Sequence, residues 1–175
     1  SIEEFLPKHV SGRESVLEVG PGYGHFLKAL SDLFVHVTAL DNSEEMLERC
    51  KSRAIEQQLD NVEFLLGDTQ KASALKPKYD CVSLNMVLHH NPTPAEIIAD
   101  CAQLLKINGI LIITDLCAHD QEWAKQSCGD IWLGFEPKAL SRWALAAGLS
   151  EGNSLYLTQR NGFRIQVRQF NLPNR

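Results

Sequence analysis

The chain has 175 residues, of which 44% are hydrophobic and 22% are charged, and its formal net charge is −5. This length and composition are typical of one globular domain with a hydrophobic core, and they exclude a disordered or fibrous chain. The negative charge argues against direct contact with nucleic acid or an anionic membrane, because clustered Lys and Arg bind those partners. No apolar run reaches the roughly 20 residues that cross a bilayer.

Short apolar segments alternate with amphipathic helical patterns along most of the chain. This alternation predicts a doubly wound α/β domain, in which a parallel sheet is buried on both faces. The predicted strands are residues 16–19, 35–40, 62–66, 79–85 and 110–115. The predicted helices are residues 24–33, 43–59 and 94–105. Asn42 or Ser43 is expected to cap the second helix, and Asn108-Gly109 is expected to close the third.

The C-terminal part shows a different pattern. A helix is predicted over 137–147, and two alternating segments follow at 155–160 and 163–170. Asn161-Gly162 lies between these segments, and a two-residue Asn-Gly link favours a type I′ hairpin turn. The sheet is therefore expected to end in an antiparallel pair.

The first strand runs directly into a glycine-rich turn, Gly20-Pro21-Gly22-Tyr23-Gly24. Glycines allow the backbone to turn tightly after a strand and to approach a ligand closely. The spacing is G-x-G-x-G rather than the G-x-G-x-x-G of dinucleotide sites, which argues against a pyrophosphate ligand. A nicotinamide-dependent oxidoreductase is thus a disfavoured alternative.

Three carboxylates accompany this turn. Asp41 ends the second predicted strand, where a carboxylate can accept hydrogen bonds from ribose hydroxyls. Asp68 is placed to accept from an adenine amino group, and Glu18 to reach a cationic amino acid moiety. Without basic residues to clamp a phosphate, these acids favour a cationic, phosphate-free adenosyl ligand. The alternatives are a helix cap for Asp41, a turn residue for Asp68 and, for Met46, core packing instead of a cover over the adenine.

Four motifs together resemble the class I S-adenosylmethionine-dependent methyltransferases. They are E-V-G-P-G-Y-G at 18–24, A-L-D-N-S at 39–43, L-L-G-D at 65–68 and L-N-M-V-L-H-H at 84–90. The turn at 104–109 is similar to the family's L-L-K-P-G-G but departs from it at Ile107 and Asn108. The resemblance implies a Rossmann-like seven-stranded sheet of order 3-2-1-4-5-7-6, whose last two strands are the hairpin. It also implies S-adenosylmethionine as cofactor, S-adenosylhomocysteine as product, and a cofactor site formed by Glu18, Gly20, Gly22, Gly24, Asp41, Asn42, Met46, Gly67, Asp68, Thr69 and Asn85.

A narrower resemblance lies in H-D-Q-E-W at 119–123 and G-D-I-W-L-G-F at 129–135. These segments are similar to methyltransferase-like domains fused behind arsenical-repressor-type (ArsR) winged-helix DNA-binding domains. We expect residues 1–175 to form a single domain, either complete or excised from a longer chain. Two functions stay open: a methyltransferase for a small-molecule acceptor, and a sensor domain that binds S-adenosylmethionine or S-adenosylhomocysteine for a fused or associated DNA-binding module.

Methyl transfer from a sulfonium is a one-step displacement, so the protein mainly positions the acceptor and excludes water. An acceptor that must lose a proton needs a base, and histidine is the natural candidate. His119 is the first candidate, followed by His89 and His90, because all three follow strands at the carboxyl edge of the sheet. The alternative for His89 and His90 is a structural role in their loop. Trp123, Trp132 and Phe135 are expected either to line an acceptor pocket or to pack on the sheet.

The five cysteines are widely spaced and contain no C-x-x-C pair. Their pattern predicts neither a disulfide framework nor a zinc site, and it indicates a reducing, cytoplasmic location. Thiolate binding of a soft metal or arsenical substrate gains no support from this spacing. No metal site is therefore predicted, and the sequence identifies neither the acceptor nor the oligomeric state.

Overall fold

A seven-stranded sheet of order β3-β2-β1-β4-β5-β7-β6 forms the centre of the molecule. The computed structural model describes Leu6 and residues 12–76, 78–121 and 130–174. The strands are β1 (Ser15–Val19), β2 (His36–Asp41), β3 (Val62–Leu66), β4 (Tyr79–Asn85), β5 (Leu105–Leu116), β6 (Ser150–Thr158) and β7 (Arg164–Asn171). Strands β1 to β5 run parallel, whereas β7 pairs antiparallel with both β5 and β6. The predicted fold class, strand order and terminal hairpin are confirmed.

Helices cover both faces of the sheet. They are α1 (Leu27–Leu33), α2 (Glu44–Glu56), α3 (Thr69–Ala74), α4 (Pro94–Gln103) and α5 (Pro137–Ala146), together with a short 3₁₀ helix at Leu88–His90. Side chains alternate along β1, so that Val16 packs with α1 and α2 whereas Leu17 packs with α4 and α5. The two resulting apolar clusters bury the inner parallel strands on both faces, whereas the edge strand β3 has no fully buried residue. Among the described residues, no helix has both the length and the apolar character needed to cross a membrane.

The predicted end of the third helix is wrong. The helix stops at Gln103, and β5 begins at Leu105, five residues before the predicted start. Leu105 pairs with Tyr79, but the next pair is Ile110 with Cys81, so β5 bulges outward over the intervening residues. Asn108 adopts a left-handed conformation with φ 65° inside this bulge. Asn108-Gly109 therefore lies in a bulge within a strand. An Asn-Gly pair is typical of both helix ends and strand bulges, because both need a residue in a left-handed conformation.

The hairpin turn also differs from the prediction. The Gln159 N–H donates to the Phe163 carbonyl at 2.8 Å, which leaves residues 160–162 as the loop, and the Gly162 N–H donates to the Gln159 carbonyl at 3.0 Å. Gly162 has φ 87°, whereas Asn161 is not among the residues with positive φ. A type I′ turn requires positive φ at both central residues, so this connection is a three-residue loop with a glycine bulge.

Gly134 fixes the chain beside the end of β5. Its neighbour Phe135 forms an isolated bridge with Cys117, and the Ala118 N–H donates to the Phe135 carbonyl at 3.1 Å. A β-carbon on Gly134 would lie 2.2 Å from the Cys117 carbonyl oxygen, and its φ is +74°. Both the conformation and the close backbone approach require glycine here.

We expect Gly134→Ala to destabilise the fold by several kcal/mol, about 1–2 kcal/mol from the left-handed backbone and the rest from the clash. Gly162→Ala is the matched control, because Gly162 has φ +87° but no atom within 4 Å of its would-be β-carbon. Urea unfolding of both variants measures the difference. Equal losses of stability would show that the Cys117 contact does not constrain position 134.

Candidate active site

A cleft of about 390 Å³ opens at the carboxyl ends of the parallel strands. Strand β1 lies between β2 and β4, so the strand order reverses at this point, which is where open α/β sheets bind ligands. Six of the predicted cofactor residues line the cleft: Gly20, Asp41, Asn42, Gly67, Asp68 and Thr69. The fold thus brings together residues from three separate loops.

The glycine-rich turn forms one wall beside this cleft. Gly20 has φ 65° and donates its N–H to the Leu40 carbonyl at 2.8 Å, which ties the turn to β2. A β-carbon on Gly24 would lie 3.1 Å from Cys50 Sγ, so this glycine allows the turn to pack against α2. By contrast, Gly22 has no atom within 4 Å of its would-be β-carbon. The turn is therefore held at both ends and open in the middle, as close approach of a ligand requires.

Asp41 ends β2 and also organises the start of α2. Its Oδ1 accepts a hydrogen bond from the Ser43 N–H at 2.9 Å, and Ser43 Oγ accepts from the Met46 N–H at 3.3 Å. Ser43 is thus the N-cap of α2. Of the two predicted caps, Asn42 and Ser43, the second is confirmed, and Asp41 does not cap the helix. Asn42 lies exposed within the same turn. Met46 is half-buried in the first turn of α2 and does not line the cleft.

The Gly67-Asp68-Thr69 segment joins β3 to α3 at the opposite side of the cleft. The Gly67 N–H donates to the Asp41 carbonyl at 2.8 Å. Asp68 caps α3 by accepting from the Lys71 N–H at 2.8 Å. The buried Thr69 hydroxyl donates to Asp100 Oδ2 at 2.8 Å, and this bond links α3 to α4. The segment is therefore fixed on both sides before any ligand arrives.

The cleft is acidic. None of the described residues that line it is Lys, Arg or His, whereas four are carboxylic acids: Asp41, Asp68, Glu96 and Asp100. Sequence reasoning missed Glu96 and Asp100. Their spacing of four residues on a predicted helix was the available signal, because i and i+4 share one helix face. A cleft of this charge favours a cationic ligand and disfavours a phosphate.

Two buried polar oxygens lie deeper in the sheet, on the face that packs against α1 and α2. Glu18 pairs in register with Ser83, and Asn85 follows two residues later on the same face. Glu18 Oε2 and Asn85 Oδ1 have no hydrogen-bond partner among the described residues. Burial raises the pKa of Glu18 to about 8, although a hydrogen bond with Ser83 opposes the shift. Unpartnered buried oxygens in a central strand point to a missing donor, because native proteins pair nearly all such groups.

His89 and His90 form a cluster with two aspartates next to the end of β4. His89 Nδ1 lies 2.7 Å from Asp115 Oδ1, and the ring is only 5% exposed. His89 Nε2 and His90 Nδ1 each lie 3.5 Å from Asp130 Oδ1. Burial lowers the pKa of His89, but the hydrogen bond with Asp115 and the charges of Asp115 and Asp130 outweigh it and raise the pKa. Neither histidine lines the described cleft.

His119 lies apart from that cluster, beyond the end of β5. Its ring packs against Phe163 at an angle of 46° with centroids 4.7 Å apart, and Nδ1 accepts a hydrogen bond from the Gln121 N–H at 3.2 Å. This bond places the hydrogen of the neutral ring on Nε2. His119 Nε2 is buried and has no hydrogen-bond partner among the described residues. In this state His119 presents an N–H donor.

The aromatic residues near this edge pack against one another. Trp132 lies 5.7 Å from Phe135 and 6.4 Å from Trp143 between ring centroids, and its Nε1–H donates to the Asn91 carbonyl at 2.9 Å. Asn91 lines the cleft. Trp132 thus supports the loop after β4, whereas Trp123 lies outside the described residues.

Four cysteines, Cys50, Cys81, Cys101 and Cys117, are free and buried. Burial raises the pKa of Cys50 to about 11 and raises the pKa values of the other three as well. Protonated, buried thiols are poor metal ligands and poor nucleophiles. Cys128, the other cysteine expected on the acceptor side, lies outside the described residues.

Comparison with known proteins identifies the family. A family model described as a methyltransferase domain matches residues 11–160, and the chain belongs to this family. A Coxiella burnetii protein named ubiquinone biosynthesis O-methyltransferase is 27% identical over 147 residues, which is 77% of this chain and 62% of that protein. The chain therefore spans less than two-thirds of the length of that relative.

Solved structures share the fold at low identity. The YcgJ protein from Bacillus subtilis aligns with a TM-score of 0.81 and 16% identity, covering 99% of this chain and 98% of that one. The N-methyltransferase NodS from Bradyrhizobium japonicum WM9, in complex with S-adenosyl-L-homocysteine, aligns with a TM-score of 0.78 and 16% identity, covering 99% and 86%. Membership of the methyltransferase family supports S-adenosylmethionine as the cofactor and S-adenosylhomocysteine as its product, whereas the likeness to NodS shows the shared fold.

The buried carboxyl of Glu18 predicts a pH-dependent stability. Its pKa is raised from an ordinary 4.5 to about 8 in the folded chain, so the folded state holds a proton that the unfolded state releases between these values. Stability from this group is therefore present at low pH and is lost as the pH rises from about 4.5 to about 8.

Glu18→Gln removes this titration, so the gap in unfolding free energy between variant and parent should grow in favour of the variant across that pH range. The upper bound is about 5 kcal/mol, from 1.36 kcal/mol per pKa unit. Urea unfolding at pH 5 and pH 8 measures it, and Glu56→Gln on the exposed face of α2 is the control. A constant gap between Glu18→Gln and the parent would contradict the raised pKa.

Proposed function

We propose that this chain binds S-adenosylmethionine in the cleft at the carboxyl ends of β1 to β4 and transfers its methyl group to a small-molecule acceptor. One observation carries the proposal. The cleft at the reversal point of the sheet is lined by four carboxylic acids and by no described basic residue, next to a turn that is open at Gly22. This combination suits a cationic adenosyl compound and not a dinucleotide.

The residues present fit the parts of that cofactor. Asp41 is the proposed ribose ligand, supported by its position at the end of β2 in the cleft wall and by an anchored Oδ1 that fixes the orientation of its carboxylate. Asn42, Gly67, Asp68 and Thr69 are proposed to surround the adenine, and Met46 to pack behind it. The unpartnered oxygens of Glu18 and Asn85 are proposed to receive the amino group, directly or through water, beside Gly20, Gly22 and Gly24.

When bound, the cofactor supplies a methyl group on a sulfonium. The chain then has to hold the acceptor atom in line behind that methyl group and keep water out. The Thr69–Asp100 hydrogen bond and the Gly20 contact with β2 hold the two sides of the cleft at a fixed separation. Fixed walls favour transfer because little reorganisation is needed on binding.

His119 is the proposed contact to the acceptor. It follows β5 at the same edge of the sheet, and its Nε2 is a buried donor without a described partner. An acceptor oxygen is the group that this donor would orient. The relatives named as O-methyltransferases support a hydroxyl-bearing small molecule as the first acceptor class to test. His89 and His90 are the other candidate catalytic residues. Their cluster with two aspartates also supports metal binding, which is a separate proposal.

A sensor role is the second proposed function. In this role the domain binds S-adenosylmethionine or S-adenosylhomocysteine and controls an ArsR-type DNA-binding module joined to it. Its support is the motif resemblance at 119–123 and 129–135, of which residues 122–129 lie outside the described part of the chain. A sensor of the demethylated product should bind S-adenosylhomocysteine much more tightly than S-adenosylmethionine in calorimetry and should form no product with any acceptor.

A cytoplasmic location is likewise a proposal. It rests on the free, buried state of Cys50, Cys81, Cys101 and Cys117, which is typical of proteins kept in a reducing compartment.

Asp41→Asn should weaken S-adenosylhomocysteine binding by about 1.5–3 kcal/mol, the cost of losing hydrogen bonds to a charged group. Asparagine keeps the Oδ1 that accepts from Ser43, so the turn before α2 is preserved. Isothermal titration calorimetry measures the change, and exposed Asp60→Asn is the control. Unchanged affinity in Asp41→Asn would remove the ribose assignment.

His119→Ala should lower the rate of S-adenosylhomocysteine formation by roughly tenfold to a hundredfold, the effect of one lost hydrogen bond in a buried site. Cofactor affinity should not change. A panel of small phenols and other hydroxyl compounds supplies the acceptor, and exposed His25→Ala is the control. A loss of 10²–10⁴-fold with a shifted pH profile would instead assign proton removal to His119, and full activity would exclude it from the site.

A further inference from the structure

Three potential ligand atoms converge beside the end of β4. His89, His90 and Asp130 each place one nitrogen or oxygen atom within 4.8 Å of the others. His89 and His90 belong to the 3₁₀ helix that follows β4, whereas Asp130 comes from a segment 40 residues further along the chain. Sequence spacing therefore contained no metal-binding pattern, and the fold alone creates the group.

The distances within this group are too long for direct hydrogen bonds. Asp130 Oδ1 lies 3.5 Å from His89 Nε2 and 3.5 Å from His90 Nδ1. Hydrogen bonds between nitrogen and oxygen are about 2.7–3.2 Å long. Ligand atoms at about 2.0–2.1 Å around a tetrahedral ion lie roughly 3.3–3.4 Å from one another. The two Asp130 distances are therefore close to the spacing of ligands around a shared metal ion, and the third pair of atoms lies within 4.8 Å.

The surroundings hold His89 in the orientation that a metal ligand needs. Its Nδ1 lies 2.7 Å from Asp115 Oδ1, so a proton shared with this carboxylate leaves the Nε2 lone pair directed to Asp130. Asp115 is 0% exposed and also accepts from the Leu116 N–H at 2.7 Å, which fixes the carboxylate itself. A carboxylate behind a metal-bound histidine is a recurrent arrangement that sets the tautomer and raises ligand basicity.

The Asp130 segment is likewise fixed relative to the 3₁₀ helix. The N–H groups of Ile131 and Trp132 both donate to the His89 carbonyl, at 2.9 and 3.0 Å. The backbone that carries Asp130 is thus bound to the backbone that carries His89. Because Asp130 is 7% exposed, its carboxylate needs a compensating positive charge. A divalent ion held by the two neutral imidazoles would supply that charge.

We propose that His89, His90 and Asp130 bind a divalent transition-metal ion, with Zn²⁺ as the best fit. Two imidazoles and one carboxylate are ligands that suit Zn²⁺, whereas Mg²⁺ and Ca²⁺ prefer oxygen alone. Three protein ligands leave one tetrahedral position open for water or an oxygen of a small molecule. The site does not depend on the proposed methyl transfer, and it can be tested without cofactor or acceptor.

The test is metal binding by the full chain after treatment with a chelator. Co²⁺ is titrated while visible absorption is recorded, because tetrahedral Co²⁺ absorbs strongly and octahedral Co²⁺ only weakly. Zn²⁺ affinity follows from competition with a chromogenic chelator. We expect one ion per chain, a tetrahedral Co²⁺ spectrum without a sulfur charge-transfer band, and displacement of Co²⁺ by Zn²⁺.

Variants locate the ion. His90→Ala removes a ring that is 45% exposed, so the fold should survive, and Asp130→Asn keeps the side-chain shape. Each should weaken Zn²⁺ binding at least about tenfold, and Asp115→Asn by about 10–100-fold through loss of the carboxylate behind His89. Exposed His36→Ala is the matched control and should bind like the parent.

Three results would overturn the proposal. They are the absence of stoichiometric binding, a sulfur-to-cobalt band that assigns the ion to cysteines, and unchanged Zn²⁺ affinity in both His90→Ala and Asp130→Asn. Failure of this site leaves the Asp41 binding test unaffected, so the metal and cofactor assignments fail or succeed separately.

Discussion

The burial of the inner parallel strands β2, β1, β4 and β5 on both faces is the constraint on which the rest of this structure depends. Strands such as β1 and β4 cannot carry exposed polar side chains along their length, so polar groups gather where the strands end. The reversal of strand order at β1 then leaves a gap between the loops, and the acidic cleft lies in that gap. Two carboxyl groups are buried within these strands, Glu18 in β1 and Asp115 near the end of β5.

Much of the fold could be predicted because buried parallel strands have a simple signal. The predicted strands 62–66 and 79–85 match β3 and β4 to the residue, since each is a short apolar run bounded by polar or turn residues. The prediction failed at 105–109, where a strand bulge and a helix end have the same Asn-Gly signature. It failed again at Asn161-Gly162, because the loop length depends on the hydrogen bond from the Gln159 N–H to the Phe163 carbonyl, a contact that no local pattern encodes.

The candidate site likewise contains residues that could be predicted from the sequence and residues that could not. Asp41, Asp68 and Gly20 could be predicted because each lies at or just after the end of a strand, and adjacent strands bring their ends together. Asp130 could not, since it comes from a loop whose position is set by tertiary packing, and Asp100 had only its four-residue spacing from Glu96 on a helix as a signal. The contacts of the histidines also depend on tertiary packing. His89 has two carboxylates beside it, whereas His119 has a backbone N–H and an aromatic ring.

The raised pKa of Glu18, about 8, determines the charge of β1 in the ligand-free protein. Near neutrality this carboxyl is mostly uncharged, so the strand beneath the glycine turn is neutral until a positively charged molecule approaches. In the proposed complex, the amino group of the ligand favours the ionised carboxyl, so binding is expected to release a proton. The carboxyl of Glu18 then becomes negatively charged only when a cationic ligand binds. A neutral competitor would leave this carboxyl protonated.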